Sequence, residues 1–167
     1  MPLDRLGAAW RQHYIETAAH KPVGDRACVF CGLIAEGVSE RTGIVAIEDG
    51  SCVILNAYPY GSGHLLILPL RHGGDLSTLE PKEQVSLFSA ATKAVAAVEK
   101  AYRPDGVNMG ANLGRAAGAG IPEHLHLHVL PRWNGDTNFI TTIGEARVLP
   151  ESLETTYHKV SAAWADL

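Results

Sequence analysis

The sequence predicts an α+β domain, and three observations support this. Residues 124–130 (His124-Leu125-His126-Leu127-His128-Val129-Leu130) alternate with the period of two that marks an extended strand. Two short β-rich runs, residues 44–48 and 52–55, flank an Asp49-Gly50 turn in the manner of a hairpin. Residues 81–102 carry apolar side chains at helical spacing. At 167 residues and 46% hydrophobic content, the chain suffices for one domain with its own core.

The elements follow in order. Leu3, Leu6, Trp10, Tyr14 and Ile15 are spaced along one face of a helix over residues 3–19, and turn formers in residues 20–27 read as a linker. Residues 28–139 read as the core domain. It opens with Cys28-x-x-Cys31, followed by the hairpin, in which Cys52 sits within an apolar run and is expected in the core. Asn56-Ala57-Tyr58-Pro59-Tyr60-Gly61-Ser62-Gly63 is a loop, and residues 64–69 are a third strand closed by Pro69. In the helix over 81–102, Pro81 suits the first turn, and Val85, Phe88, Ala91, Val95 and Val98 are expected to be its buried stripe. Arg103-Pro104-Asp105-Gly106 stops it, and residues 107–113 form a strand thinned by Gly110. The glycine-rich loop 114–122 leads into the histidine stretch, and a polar turn segment leaves it at 131–139. Residues 140–167 should supply a short strand at 140–143 and a helix over 150–164, packed on the same domain through Leu153, Tyr157, Val160 and Trp164.

Composition bounds the function. A net charge of −4 gives no global basic field for long nucleic acid, so a polyanionic ligand would need a local site. No apolar run approaches the roughly 20 residues of a membrane span, and residues 1–10 lack the layout of a signal peptide, so the reading is cytoplasmic. Three cysteines suit metal or redox use better than a disulfide framework.

The chemistry is concentrated in the histidines. On a strand His124, His126 and His128 stand on one face, with Leu125, Leu127 and Val129 on the other. Such a row can bind metal, or one imidazole can act as a nucleophile with its neighbours as acid, base or electrostatic partners. A single ion held by all three is disfavoured, because His124 and His128 are about 13 Å apart by strand rise. Cys28-x-x-Cys31 fits zinc, a redox pair or two small buried residues, and His72, on the loop after the third strand, is a candidate ligand. Glycines in 114–122 would let backbone N–H groups approach an anion, though the ending of a Walker loop is missing.

The pattern His-φ-His-φ-His-φ-φ, with φ apolar, is the signature of the histidine triad (HIT) superfamily, which residues 124–130 resemble without departure. Residues 55–65 look like the family's nucleoside-binding stretch, and 114–122 take the place of its phosphate loop. Residues 10–15, Asn112-Leu113-Gly114, and Gly135-Asp136-x-Asn138-Phe139 after Arg132-Trp133 are similar to bacterial HIT proteins related to diadenosine tetraphosphate phosphorylase.

The resemblance implies an antiparallel sheet of about five strands with packed helices, and a homodimer. It implies an enzyme that cleaves dinucleoside polyphosphates, as phosphorylase or hydrolase, through a nucleotidyl-histidine intermediate. The alternatives are an adenosine phosphoramidate hydrolase and a nucleotide-binding regulatory module with little turnover. Carried over by residue, His126 is the nucleophile, His128 a donor to the phosphoryl oxygens, and His64 lies beside the nucleophile. Asn56 is expected at the ribose, and Asn112 and the loop glycines Gly118 and Gly120 near the phosphates. Arg132 and Asn138 are further substrate contacts. Cys28, Cys31, His72 and His124 match the structural zinc set of one branch, one ion per chain. A metal-bound His124 could not also protonate a leaving group.

Overall fold

The computed structural model describes residues 28–143 and 151–167. The helix predicted over 3–19, the linker 20–27 and Pro150 lie outside the described residues. The chain forms helix α1 (Val29–Glu36), strands β1 (Ile44–Glu48), β2 (Ser51–Leu55) and β3 (Leu65–Pro69), helix α2 (Pro81–Tyr102), strands β4 (Gly106–Ala111) and β5 (Leu127–Arg132), a helical turn α3 (Phe139–Ile143) and helix α4 (Leu153–Ala165). The strands make one sheet in the order β1-β2-β3-β5-β4, with every pair antiparallel.

Strand alternation divides the core into two layers. On one face Val53, Leu55, Leu65, Ile67, Leu125, Leu127 and Val129 pack under α2 and α4. On the other, Cys52, Ile54, Leu66 and Leu68 pack with Ile44 and with Phe30 of α1. The histidines project to the second layer, because their neighbours Leu125, Leu127 and Val129 occupy the first. Cys52 is fully buried, as expected, and burial pushes its thiol up to about 12.

Three expectations need correction, and one helix is new. The buried stripe of α2 is rotated: Val85 and Phe88 are 71% and 55% exposed, while Leu87, Ala91, Ala94, Ala97 and Val98 are buried. Both sets have helical spacing, but alanines allow the closer approach of helix to sheet. Residues 139–143 form a helical turn rather than a strand, with the Thr141 N–H donating to the Asn138 carbonyl. Its β-rich composition has no adjoining strand to pair with, and β propensity is realised only through such pairing. Cys28-x-x-Cys31 lies in the first turn of the unpredicted helix α1, with Cys28 at its N-cap. Finally, the laddered part of the histidine stretch begins at Leu127. His124 to His126 run ahead of it, and the Leu125 N–H donates to the Gly73 carbonyl at 2.8 Å instead of to a strand.

Two devices hold the site-bearing segments. Arg71, at the exit of β3, makes a two-pronged ion pair with Glu83 at 2.7 and 2.8 Å and fixes the loop carrying His72 to α2. Gly74 passes so close to the 122–123 backbone that a Cβ there would lie 2.0 Å from the Pro122 carbonyl oxygen. Only glycine lets the His72 and His124 segments run side by side.

Candidate active site

Hydrogen-bond logic fixes the tautomers of four histidines. The Nδ1 of His126 lies 2.9 Å from the carbonyl oxygen of His124. A carbonyl only accepts, so Nδ1 carries the proton and Nε2 holds the free lone pair of the neutral ring. His126 is buried in the second layer, its ring 5.2 Å from that of His128.

His128 sits on β5 opposite Leu66 of β3 and Gly110 of β4. Its Nδ1 is 2.9 Å from Nε2 of His64. The other nitrogen of His64, Nδ1, accepts from the Tyr60 backbone N–H at 3.0 Å and from the Asn56 side-chain amide at 3.3 Å. That amide is oriented by its own oxygen, which accepts from the Tyr58 N–H at 2.9 Å. His64 is therefore protonated on Nε2 and donates to His128, and the proton of His128 is on its Nε2. That Nε2–H is buried and has no hydrogen-bond partner among the described residues. Burial first, and then the neighbouring His126, push the pKa of His128 down to about 4, so it is neutral at pH 7. His126 and His128 thus stand side by side, one with an open lone pair and the other with an open N–H.

The loop before His64 is shaped to reach this row. Gly63 has φ +75°, and a Cβ there would lie 2.8 Å from Tyr102 Cε2 and 2.9 Å from Pro131 Cγ. Tyr60 stacks on His128 with ring centroids 5.7 Å apart and an 18° interplanar angle, and tilts against His64 at 4.6 Å. Tyr60 also borders a cleft of about 580 Å³ lined by Tyr102, Arg132, Trp133 and Lys159.

The remaining expected substrate residues are distributed as follows. Asn112 directly follows Ala111, the last β4 residue paired with β5, which lies opposite Leu127. In the glycine loop the N–H groups of Ala117, Gly118 and Ala119 turn back onto the carbonyls of Gly114 and Arg115, and Gly120 is exposed. Arg132 donates to both Asp136 oxygens at 2.6 and 2.8 Å and to Asn108 at 2.7 Å, and it holds the Asp136 carboxyl well below the usual carboxylate range. Asn138 is exposed at the start of α3. His64 touches His128, whose ring in turn borders that of His126.

A second cluster adjoins the row. Sγ of Cys28 and Cys31 and Nδ1 of His72 and His124 all lie within 4.8 Å of one another. Cys28 Sγ and Cys31 Sγ are 3.5 and 3.6 Å from His124 Nδ1, and Cys31 Sγ is 3.5 Å from His72 Nδ1. Tetrahedral zinc with usual bond lengths would hold sulfur and nitrogen about 3.6 Å apart. The Nε2–H of His124 donates to the Pro69 carbonyl at 2.9 Å, which leaves Nδ1 unprotonated and aimed at the thiols. The donor set fits zinc in chemistry and spacing. Burial, followed by the adjacent Cys28, raises the Cys31 thiol pKa.

Sequence reasoning missed Tyr60 and Phe30 as neighbours of the imidazoles. Tyr60 read only as part of a loop within the nucleoside-binding stretch, and Phe30 lay inside a motif read for its sulfurs. No helix of the described residues is long and apolar enough to cross a membrane.

Comparison with known proteins bears on this geometry. The chain is 37% identical over 98% of its length, and 85% of the relative's, to AP-4-A phosphorylase of Mycobacterium tuberculosis. Among solved structures, a Zn-bound histidine triad family protein from Mycobacterium smegmatis superposes with a TM-score of 0.69 at 28% identity, covering 86% of this chain and 96% of that one. A hypothetical histidine triad nucleotide-binding protein from Sulfolobus tokodaii gives 0.68 at 25% identity over 84% and 93%. Residues 39–135, more than half of the chain, match the HIT domain, and the protein belongs to that family.

Proposed function

We propose that the protein is a nucleotidyl-transfer enzyme that cleaves dinucleoside polyphosphates through a nucleotide bonded to His126. The observation that carries this is the pairing of tautomers: the free Nε2 lone pair of His126 beside the unpartnered Nε2–H of His128. His126 Nε2 attacks the α-phosphorus, a nitrogen–phosphorus bond forms, and the bond to the departing polyphosphate breaks. His128 donates to a phosphoryl oxygen as charge builds there, and it arrives already oriented by His64. A second displacement on phosphorus by inorganic phosphate or water breaks the nitrogen–phosphorus bond and frees His126. The 37%-identical AP-4-A phosphorylase supports phosphate as the acceptor.

The leaving group discriminates between readings. Both nitrogens of His124 are committed, Nε2–H to Pro69 and Nδ1 towards the thiols. No proton is available from it, which suits a polyphosphate that leaves as an anion. An amine leaving from a phosphoramidate needs a proton, so that alternative is less favoured. Asn56 and Asn112 are assigned to substrate, with Gly118 and Gly120 bordering the phosphates. Arg132, neutralised by Asp136, shapes the turn that carries Asn138.

Cys28, Cys31, His72 and His124 would hold one zinc ion, as the Zn-bound relative encourages. Zinc in such a closed set of four protein ligands braces the fold and activates no water. We take the protein to be cytoplasmic, in keeping with the free thiols, and to be a homodimer, for which the outer edge of β4, with Met109 49% exposed, is available.

The test is incubation with diadenosine tetraphosphate. ADP plus ATP formed only with phosphate identifies the phosphorylase, and AMP plus ATP without phosphate identifies the hydrolase. Tight nucleotide binding without product would overturn the enzymatic reading.

A further inference from the structure

Helix α1 brings more than two sulfurs to the site. Phe30, between Cys28 and Cys31, turns inward and is 6% exposed. Its ring meets the His126 ring at 5.5 Å and 61°, and the His124 ring at 5.6 Å and 86°. Both are edge contacts of the kind aromatic pairs favour. One turn of helix thus approaches His124 with its thiols and His126 with its phenyl ring.

We infer that Phe30 is a positioning residue for His126, and that it ties the orientation of the nucleophile to the Cys28–Cys31 turn. The inference rests on the nucleotidyl-transfer reading. The His126 ring has a single hydrogen bond assigned to it, from Nδ1–H to the His124 carbonyl. Turning the ring over exchanges Nδ1 with Cδ2 and Nε2 with Cε1, so a flipped ring presents a carbon where the attacking nitrogen belongs. That hydrogen bond favours the productive orientation, and His128 borders the ring on one side. Phe30, in edge-type contact with the same ring, supplies a second wall that limits its movement. Being on the same turn as the thiols, it keeps its place when their cluster is intact.

The test compares Phe30→Leu and the volume-filling Phe30→Met with Cys52→Ala, which loosens the same core layer without touching an imidazole. Zinc content, melting temperature, KM and the single-turnover rate of nucleotidyl-histidine formation are measured on each. The tautomer and ring-orientation signature of His126 is read by nitrogen-15 NMR. In both Phe30 variants the adduct-forming rate should fall about tenfold, with KM within twofold and zinc retained, and the His126 signal should show a mixture of orientations. Cys52→Ala should match the wild type in rate and signal. A rate within twofold of wild type in both Phe30 variants, or an equal fall in Cys52→Ala, would overturn the inference and leave Phe30 a core residue. A fall that tracks zinc loss would overturn it too. If the wild type forms no adduct, the enzymatic reading fails, while the His126 signal still decides the role of Phe30.

Discussion

Replacing Gly63 with alanine should damage both stability and turnover, and the structure sets the scale. The new Cβ would stand 2.8 Å from Tyr102 Cε2 and 2.9 Å from Pro131 Cγ, closer than side chains tolerate. Overpacking of this kind costs about 1–3 kcal/mol. The φ of +75° adds about 1–2 kcal/mol for any residue bearing a Cβ. Together these give about 2–5 kcal/mol, or a fall in melting temperature of about 5–15 °C for a domain of this size. Tyr102 can yield little, because its hydroxyl is held by Glu151 and its ring lies under Lys159. The strain should therefore move the loop, and His64 with it, so the adduct-forming rate should fall as well. Gly32→Ala is the control. It lies inside α1 with nothing within 4 Å of the added carbon, so it should be neutral or stabilise by about 0.5–1 kcal/mol. Thermal and urea melts of the two variants check this. A Gly63→Ala melt within 1 °C of wild type would refute the steric argument.

Three further outcomes are expected. His126→Ala should abolish turnover and the acid-labile adduct while leaving nucleotide binding within a few fold, and retained turnover would rule out covalent catalysis there. His72→Ala should lower both zinc content and melting temperature, because metal binding is part of folding free energy, and unchanged values of both would remove His72 from the cluster. Because the pKa of His128 is depressed to about 4 in the folded chain, the unfolded chain takes up a proton first as the pH falls. Its stabilising contribution is therefore complete above about pH 6.5 and is lost between about 6.5 and 4, by at most about 3 kcal/mol. Stability curves of wild type and His128→Gln measured across that window should converge at the acid end.

The sheet and its histidine face were legible in the sequence because both rest on local signals: a period of two at 124–130 and a turn at 49–50. What stayed hidden depends on contacts between distant segments. Nothing near residue 60 announces that its ring will stack on His128, and nothing near residue 128 announces that His64 will set its tautomer. The stripe of α2 was misread because two overlapping sets of positions satisfy the same helical spacing, and only the facing sheet selects the alanines. Phe30 was hidden for the opposite reason, since the sulfurs on either side of it held the eye. The cysteines themselves, with His72 and His124, come together as the resemblance implied, through a glycine at 74 whose necessity is visible only in three dimensions.

The stretch carrying His124 and His126 stands just outside the hydrogen-bonded ladder, moored by one amide to Gly73 and by the ring of His124 to Pro69. Amide exchange should accordingly step along this short segment. Leu127 to Val129 are flanked by β3 and β4, and their protection should change little when the sulfur cluster is perturbed. The residues immediately upstream depend on that cluster, so loosening it would release the nucleophile's backbone while the sheet behind it stays shut.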